Sequence, residues 1–182
     1  MPTAKSMSSS TRNKSFLTVK ETTVFAVLGA MMYCTKALME FLPNIHLLGM
    51  FVMTVTVVFR KKALIPIYVY VFLDGLFSGF AFWWLAYLYI WAVLWGMTML
   101  IPRKLPKKIA FFVYPAVCAL HGILFGTLYA PVWALMAKMD FSATLAWIAN
   151  GFPYDVIHAI SNFACGFLVI PLSSMLSKLM KE

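Results

Sequence analysis

Past its first twenty or so residues the chain alternates between long apolar runs and short basic clusters. The clusters are Lys5, Arg12, Lys14 and Lys20; Arg60, Lys61 and Lys62; Arg103, Lys104, Lys107 and Lys108; and Lys178 and Lys181. The intervals between them are mostly apolar, and each has room for two helical membrane crossings, so every cluster returns to one face. Thirteen of the fifteen Lys and Arg residues then share that face. Cytoplasmic loops carry the Lys/Arg excess. The pattern predicts an all-α integral membrane protein: a six-transmembrane-helix bundle with both termini cytoplasmic. The expected crossings are 22–42, 47–59, 63–79, 82–101, 109–129 and 153–176. A disordered basic tail is expected over 1–20 and the six-helix domain over 21–182.

Two intervals modify this pattern. The second crossing is shorter than the about 20 residues a lone span needs, which implies shielding by neighbours or a loop at Asn44 and His46 set below the outer surface. Residues 130–152 read as one long outer segment, holding Trp133, Lys138, Asp140, Trp147 and Asn150.

Composition supports the membrane class. The chain is 63% hydrophobic and only 12% charged, against about 25% charged in soluble domains. The net charge of +9 caps apolar runs instead of forming a stripe, which suits anionic headgroups and not nucleic acid. No signal peptide is expected, since the first apolar run starts late and lacks a small-residue cleavage site. Cys34, Cys118 and Cys165 fall inside apolar runs without paired spacing, so neither a disulfide framework nor a metal site is expected.

The embedded polar residues concentrate in the outer half. At 1.5 Å per residue, Asp74 sits about 16 Å into the third crossing and His121 about 18 Å into the fifth. Asp155, His158 and Asn162 have i, i+3, i+7 spacing and share one face. Ionisable groups in a membrane usually face the bundle interior or a water-filled cavity, so an outward-opening polar cavity is expected. Asn44, His46, Asp74, Trp84, Tyr87, His121, Asp155, His158 and Asn162 are its candidate lining. Asp74 and Asp155 could pair a cationic ligand, the His and Asn side chains could hydrogen-bond a heterocycle, and Trp84 and Tyr87 could stack on a ring. Each has a plainer alternative. Asp155 could cap its helix, either His could be a packed interior residue, Lys36 and Glu40 could pair at i, i+4, and the aromatics of the fourth crossing could be an interfacial belt.

Ala26-x-x-x-Ala30 in the first crossing, Pro43-Asn44-Ile45-His46-Leu47-Leu48-Gly49 entering the second, Asp74-Gly75 late in the third, and Gly151-Phe152-Pro153-Tyr154-Asp155-Val156-Ile157-His158 with Asn162 and Pro171 together carry a resemblance. Over about residues 20–180 the chain resembles the substrate-binding S component of energy-coupling factor (ECF) transporters, an ABC importer class. The resemblance implies capture of a vitamin-like micronutrient from outside, in a bacterial plasma membrane. It also implies docking through Ala26 and Ala30 on a transmembrane coupling subunit driven by two cytosolic ATPases. No enzyme activity and no cofactor of its own is expected, ATP being used by the partners. The chain has no Gly-x-x-x-x-Gly-Lys-Ser/Thr phosphate loop. The alternative reading is a non-transport membrane assembly protein of the rod-shape-determining type, in which the polar residues should pair with one another.

Overall fold

The computed structural model describes residues 16–42 and 44–181. Seven α-helices follow in order: α1 (Val19–Leu38), α2 (Leu48–Phe59), α3 (Leu64–Ser78), α4 (Phe82–Leu100), α5 (Lys107–Ala137), α6 (Phe141–Gly166) and α7 (Val169–Leu179). The described residues contain no strand. Residues 1–15 of the expected tail, Pro43 of the first outer loop and Glu182 lie outside the described residues. The tail's last two positions, Val19 and Lys20, are already helical. Thr18 caps α1, accepting from Glu21 N–H at 3.1 Å while the Glu21 carboxylate accepts from Thr18 N–H at 3.0 Å, a reciprocal pairing that satisfies two otherwise orphaned donors.

α2 is the centre of the bundle. Met50, Val52, Met53 and Val55 are buried, and α2 touches α1, α3, α4, α5, α6 and α7. A helix apolar on all sides belongs inside its neighbours. At 12 residues it is about 18 Å long, the shielded short helix the sequence implied. Its end turns sharply into a 3-10 turn over Arg60–Ala63, with Arg60 at φ 54°. That corner is tied to α4: Arg60 Nη2 donates to the Met99 carbonyl at 2.7 Å, and Trp95 Nε1 donates to the Arg60 carbonyl at 3.0 Å.

Among the described residues two helices, α4 and α5, are long and apolar enough to cross a membrane, or three spans if α6 and α7, bent by 50° at their break, count as one. Only 28% and 33% of the apolar windows of α4 and α5 are buried inside the protein, so their apolar surface faces mostly outward, as lipid contact requires.

The long outer segment expected over 130–152 is instead helical. α5 runs on to Ala137 and α6 begins at Phe141. Lys138 takes the left-handed conformation that ends α5 (φ 51°), and the Asp140 carboxylate caps α6 by accepting from Ala143 N–H at 2.7 Å. The helix that carries Asp155 and His158 therefore starts at Phe141 and not at Pro153. Pro131 and Pro153 both lie inside helices, where the bundle tolerates the lost hydrogen bond. α5 and α6 form one long antiparallel hairpin. At Gly122 they approach so closely that a Cβ would lie 2.8 Å from Ala159 Cα and 2.9 Å from Ala159 N.

Candidate binding site

Three histidines meet in the bundle, each from a different element. His46 comes from the loop entering α2, His121 from α5 and His158 from α6. The rings of His46 and His158 are 4.5 Å apart, and Phe125 lies 4.8 Å from His158. Trp91 of α4 is the hub: its ring is 5.7 Å from His121, 5.9 Å from Phe125, 6.1 Å from His46 and 5.7 Å from Tyr87. Trp91, His121, His158 and Asn162 are at most 1% exposed.

The local sequence explains the convergence. His121 and Phe125 are i, i+4 on α5, Tyr87 and Trp91 are i, i+4 on α4, and His158 and Asn162 are i, i+4 on α6, so each pair shares a face. Asn162 stands one turn from His158 beneath the start of α2, where Gly49 leaves room: a Cβ there would be 3.0 Å from Asn162 Oδ1.

Hydrogen bonding within the cluster is incomplete. His46 Nδ1, Trp91 Nε1, His121 Nδ1, both ring nitrogens of His158 and Asn162 Oδ1 are buried and have no hydrogen-bond partner among the described residues. His121 Nε2 lies 3.1 Å from the Ile90 carbonyl. A carbonyl only accepts, so Nε2 carries the proton and Nδ1 presents a lone pair. Asn162 Nδ2 donates to the Cys118 carbonyl at 3.2 Å, which turns its oxygen towards Gly49. The cluster therefore holds a donor (Trp91 Nε1–H), two acceptors (His121 Nδ1 and Asn162 Oδ1) and three ring nitrogens free to serve as either.

The carboxylates do not join this set. Asp74 is fully buried but bound to Lys36 at 2.7 Å, with the hydroxyls of Tyr70 and Ser78 each at 3.5 Å. The expected Lys36–Glu40 pair is replaced by this one, because α1 ends at Leu38 and Glu40 lies past it. The Lys36 ammonium also sits over the Trp83 ring, 5.6 Å from its centroid. Asp155 lies well inside α6 and does not cap it. Its Oδ1 accepts from Gly126 N–H at 3.0 Å across the hairpin, and a Cβ at position 126 would run into this carboxylate. A cationic ligand held between Asp74 and Asp155 is thus not supported: each carboxylate already has a partner inside the protein.

Trp84 is also engaged elsewhere, its indole N–H donating to the Val71 carbonyl at 2.7 Å and its ring edge-on to Phe80. Asn44 forms the turn before α2 at φ 59°, a conformation Asn tolerates, and its side chain makes no bond to the cluster among the described residues. Of the nine expected residues, the structure brings together His46, Tyr87, His121, His158 and Asn162. Sequence reasoning missed Trp91 and Phe125. Each is an aromatic four residues beyond a residue it did select, so extending its own i, i+4 rule would have found both.

Ala26 is exposed and Ala30 half-buried. Close packing of α1 on α3 is made instead by Gly29, where a Cβ would lie 3.0 Å from the Pro66 carbonyl oxygen and collide with Val69. Ala26 thus remains on the outer surface of the bundle.

Comparison with family models, curated proteins and solved structures yields no match to this chain.

Proposed function

We propose that the protein is a membrane solute-capture subunit of the ECF S-component type, binding a small uncharged ring-bearing micronutrient at the histidine cluster. One observation carries this reading: six buried polar atoms without partners converge among aromatic rings from three helices and one loop. An unpaired buried donor or acceptor costs about 1–3 kcal/mol, and native proteins hold few of them. Six in one place is a surplus that a bound polar molecule, held against the aromatic wall of Trp91, Phe125 and Tyr87, would remove. A binding pocket has the same make-up, an apolar wall with a few placed polar groups. Because Asp74 and Asp155 are already engaged and the cluster contains neither Lys nor Arg, the ligand is neutral where it meets the cluster.

In this reading α1, the α2–α3 pair, α4, α5 and the bent α6–α7 unit make six crossings of a bacterial plasma membrane, with both termini cytoplasmic. The Lys/Arg distribution supports that threading. The exposed position of Ala26 supports a docking face for a coupling subunit that two cytosolic ATPases drive.

A second reading, the membrane assembly protein, is favoured by the internal pairing of Asp74 with Lys36 and of Asp155 with Gly126. It leaves the histidine cluster without an account. Native mass spectrometry of gently purified protein separates the two. The capture reading expects a co-purified molecule of defined mass, and uptake that Ala26→Trp abolishes while binding persists. Protein that carries no small molecule and shows no uptake in cells supports the assembly reading.

A further inference from the structure

A second feature lies away from the histidine site. α1, α2 and α7 enclose an apolar groove of about 260 Å³, walled by Val24, Val27, Met31, Phe51, Met175 and Leu179 among others. Its two threonines turn their hydroxyls back on their own helices, Thr23 to the Val19 carbonyl at 3.1 Å and Thr54 to Met50 Sδ at 3.7 Å. The groove's walls therefore present hydrocarbon. Its α1 wall is the stripe Thr23, Val24, Val27, Leu28, Met31, and Lys20 continues that stripe one turn further, in register. The Lys20 ammonium lies 2.8 Å from the carbonyl of Leu179, the last groove residue on α7. A cation thus stands at the groove's mouth. Lys178, the chain neighbour of Leu179, is exposed and forms no ion pair among the described residues. Glu21, next to Lys20 in the chain, is held by Lys62 at 2.6 Å. From Lys20 to Met31 the groove spans about 16 Å, half of a hydrocarbon core about 30 Å thick.

We propose that this groove is a specific site for an anionic phospholipid of one leaflet, with an acyl chain along α1 and α7 and the phosphate at Lys20 and Lys178. Apolar walls closed at one end by cations match the two parts of such a lipid, and basic residues beside membrane helices recognise anionic headgroups. The site depends on α1 and α7 lying in the membrane and not on the identity of the solute.

The test titrates full-length protein in mild detergent with phosphatidylglycerol and with phosphatidylcholine of identical chains, counting bound lipids by native mass spectrometry. One phosphatidylglycerol should bind about tenfold more tightly than phosphatidylcholine. Lys20→Gln with Lys178→Gln should erase that preference, and Lys20→Arg should keep it. Val27→Trp, at an exposed groove position, should remove the tight site for both lipids without lowering the melting temperature. Equal affinity of the unaltered protein for the two lipids overturns the proposal. So does a preference that survives the double glutamine change, or a dimer mass in place of the lipid adduct.

Discussion

At Asp74 a carboxylate with no exposed surface is held by Lys36 at 2.7 Å. Removing one partner of a buried pair leaves an uncompensated charge and costs about 3–5 kcal/mol. Lys36→Met should therefore lower unfolding stability in detergent by about that amount, and Lys36→Met with Asp74→Leu should recover most of it. Glu21 makes a weaker contribution of the same kind. Its carboxyl is held below the ordinary value of 4.5, first by the hydrogen bond from Lys62 and then by Thr18 N–H. A depressed folded pKa gives stability that is present above the ordinary value and lost as pH falls through the folded one. Stability should then drop below about pH 4.5 in the native protein and not in Glu21→Gln; because the pair is partly exposed, the difference should stay under about 1 kcal/mol. The sequence marked Asp74 and Lys36 as embedded charges but could not pair them, since their contact joins residues far apart in the chain. Depth along a helix is legible from counting, whereas the azimuth that decides a partner depends on tertiary packing.

The α5–α6 hairpin is the element on which the histidine site is built, since it carries His121, Phe125, His158 and Asn162. At Gly122 the neighbours of an added Cβ are backbone atoms of Ala159 and His158, which cannot rotate away. Gly122→Ala should force the helices apart, lower stability by about 1–3 kcal/mol as overpacking does, and weaken ligand binding with it. Thermal melting and ligand titration of that variant measure both. The apolar runs and basic clusters match α2 to α4 within a residue at each end, because the turn at Ser78-Gly79 and Pro102 coincide with such ends, whereas α1 lies three to four residues earlier than expected. The helical course of residues 130–152 was not legible for the converse reason. Pro131, Pro153 and Gly151 signal a break, but helix-to-helix contact along the hairpin overrides that local preference. Once the helix continues, Asp155 moves from a cap position to an interhelical bond.

For the molecule as a whole, the proposed threading fixes which loops face outward. Cysteines placed at Lys62, Lys104 and Lys178 should resist an impermeant thiol reagent applied to whole cells, and one at Met139, in the α5–α6 turn, should react. Strong labelling at Lys104 would contradict six crossings. The central claim is that the histidine cluster binds the solute, and His158→Phe tests it most directly. The substitution keeps an aromatic ring against His46 and Phe125 and removes two nitrogens that bond to nothing among the described residues. A ligand group left unpaired costs about 1–3 kcal/mol, and 1.4 kcal/mol is about tenfold in affinity. Affinity for the co-purified molecule and melting temperature are then measured on the same preparation. Binding weakened about five- to a hundred-fold with melting unchanged or raised is the expected result; unchanged affinity with lowered melting would make the cluster scaffold and contradict the claim.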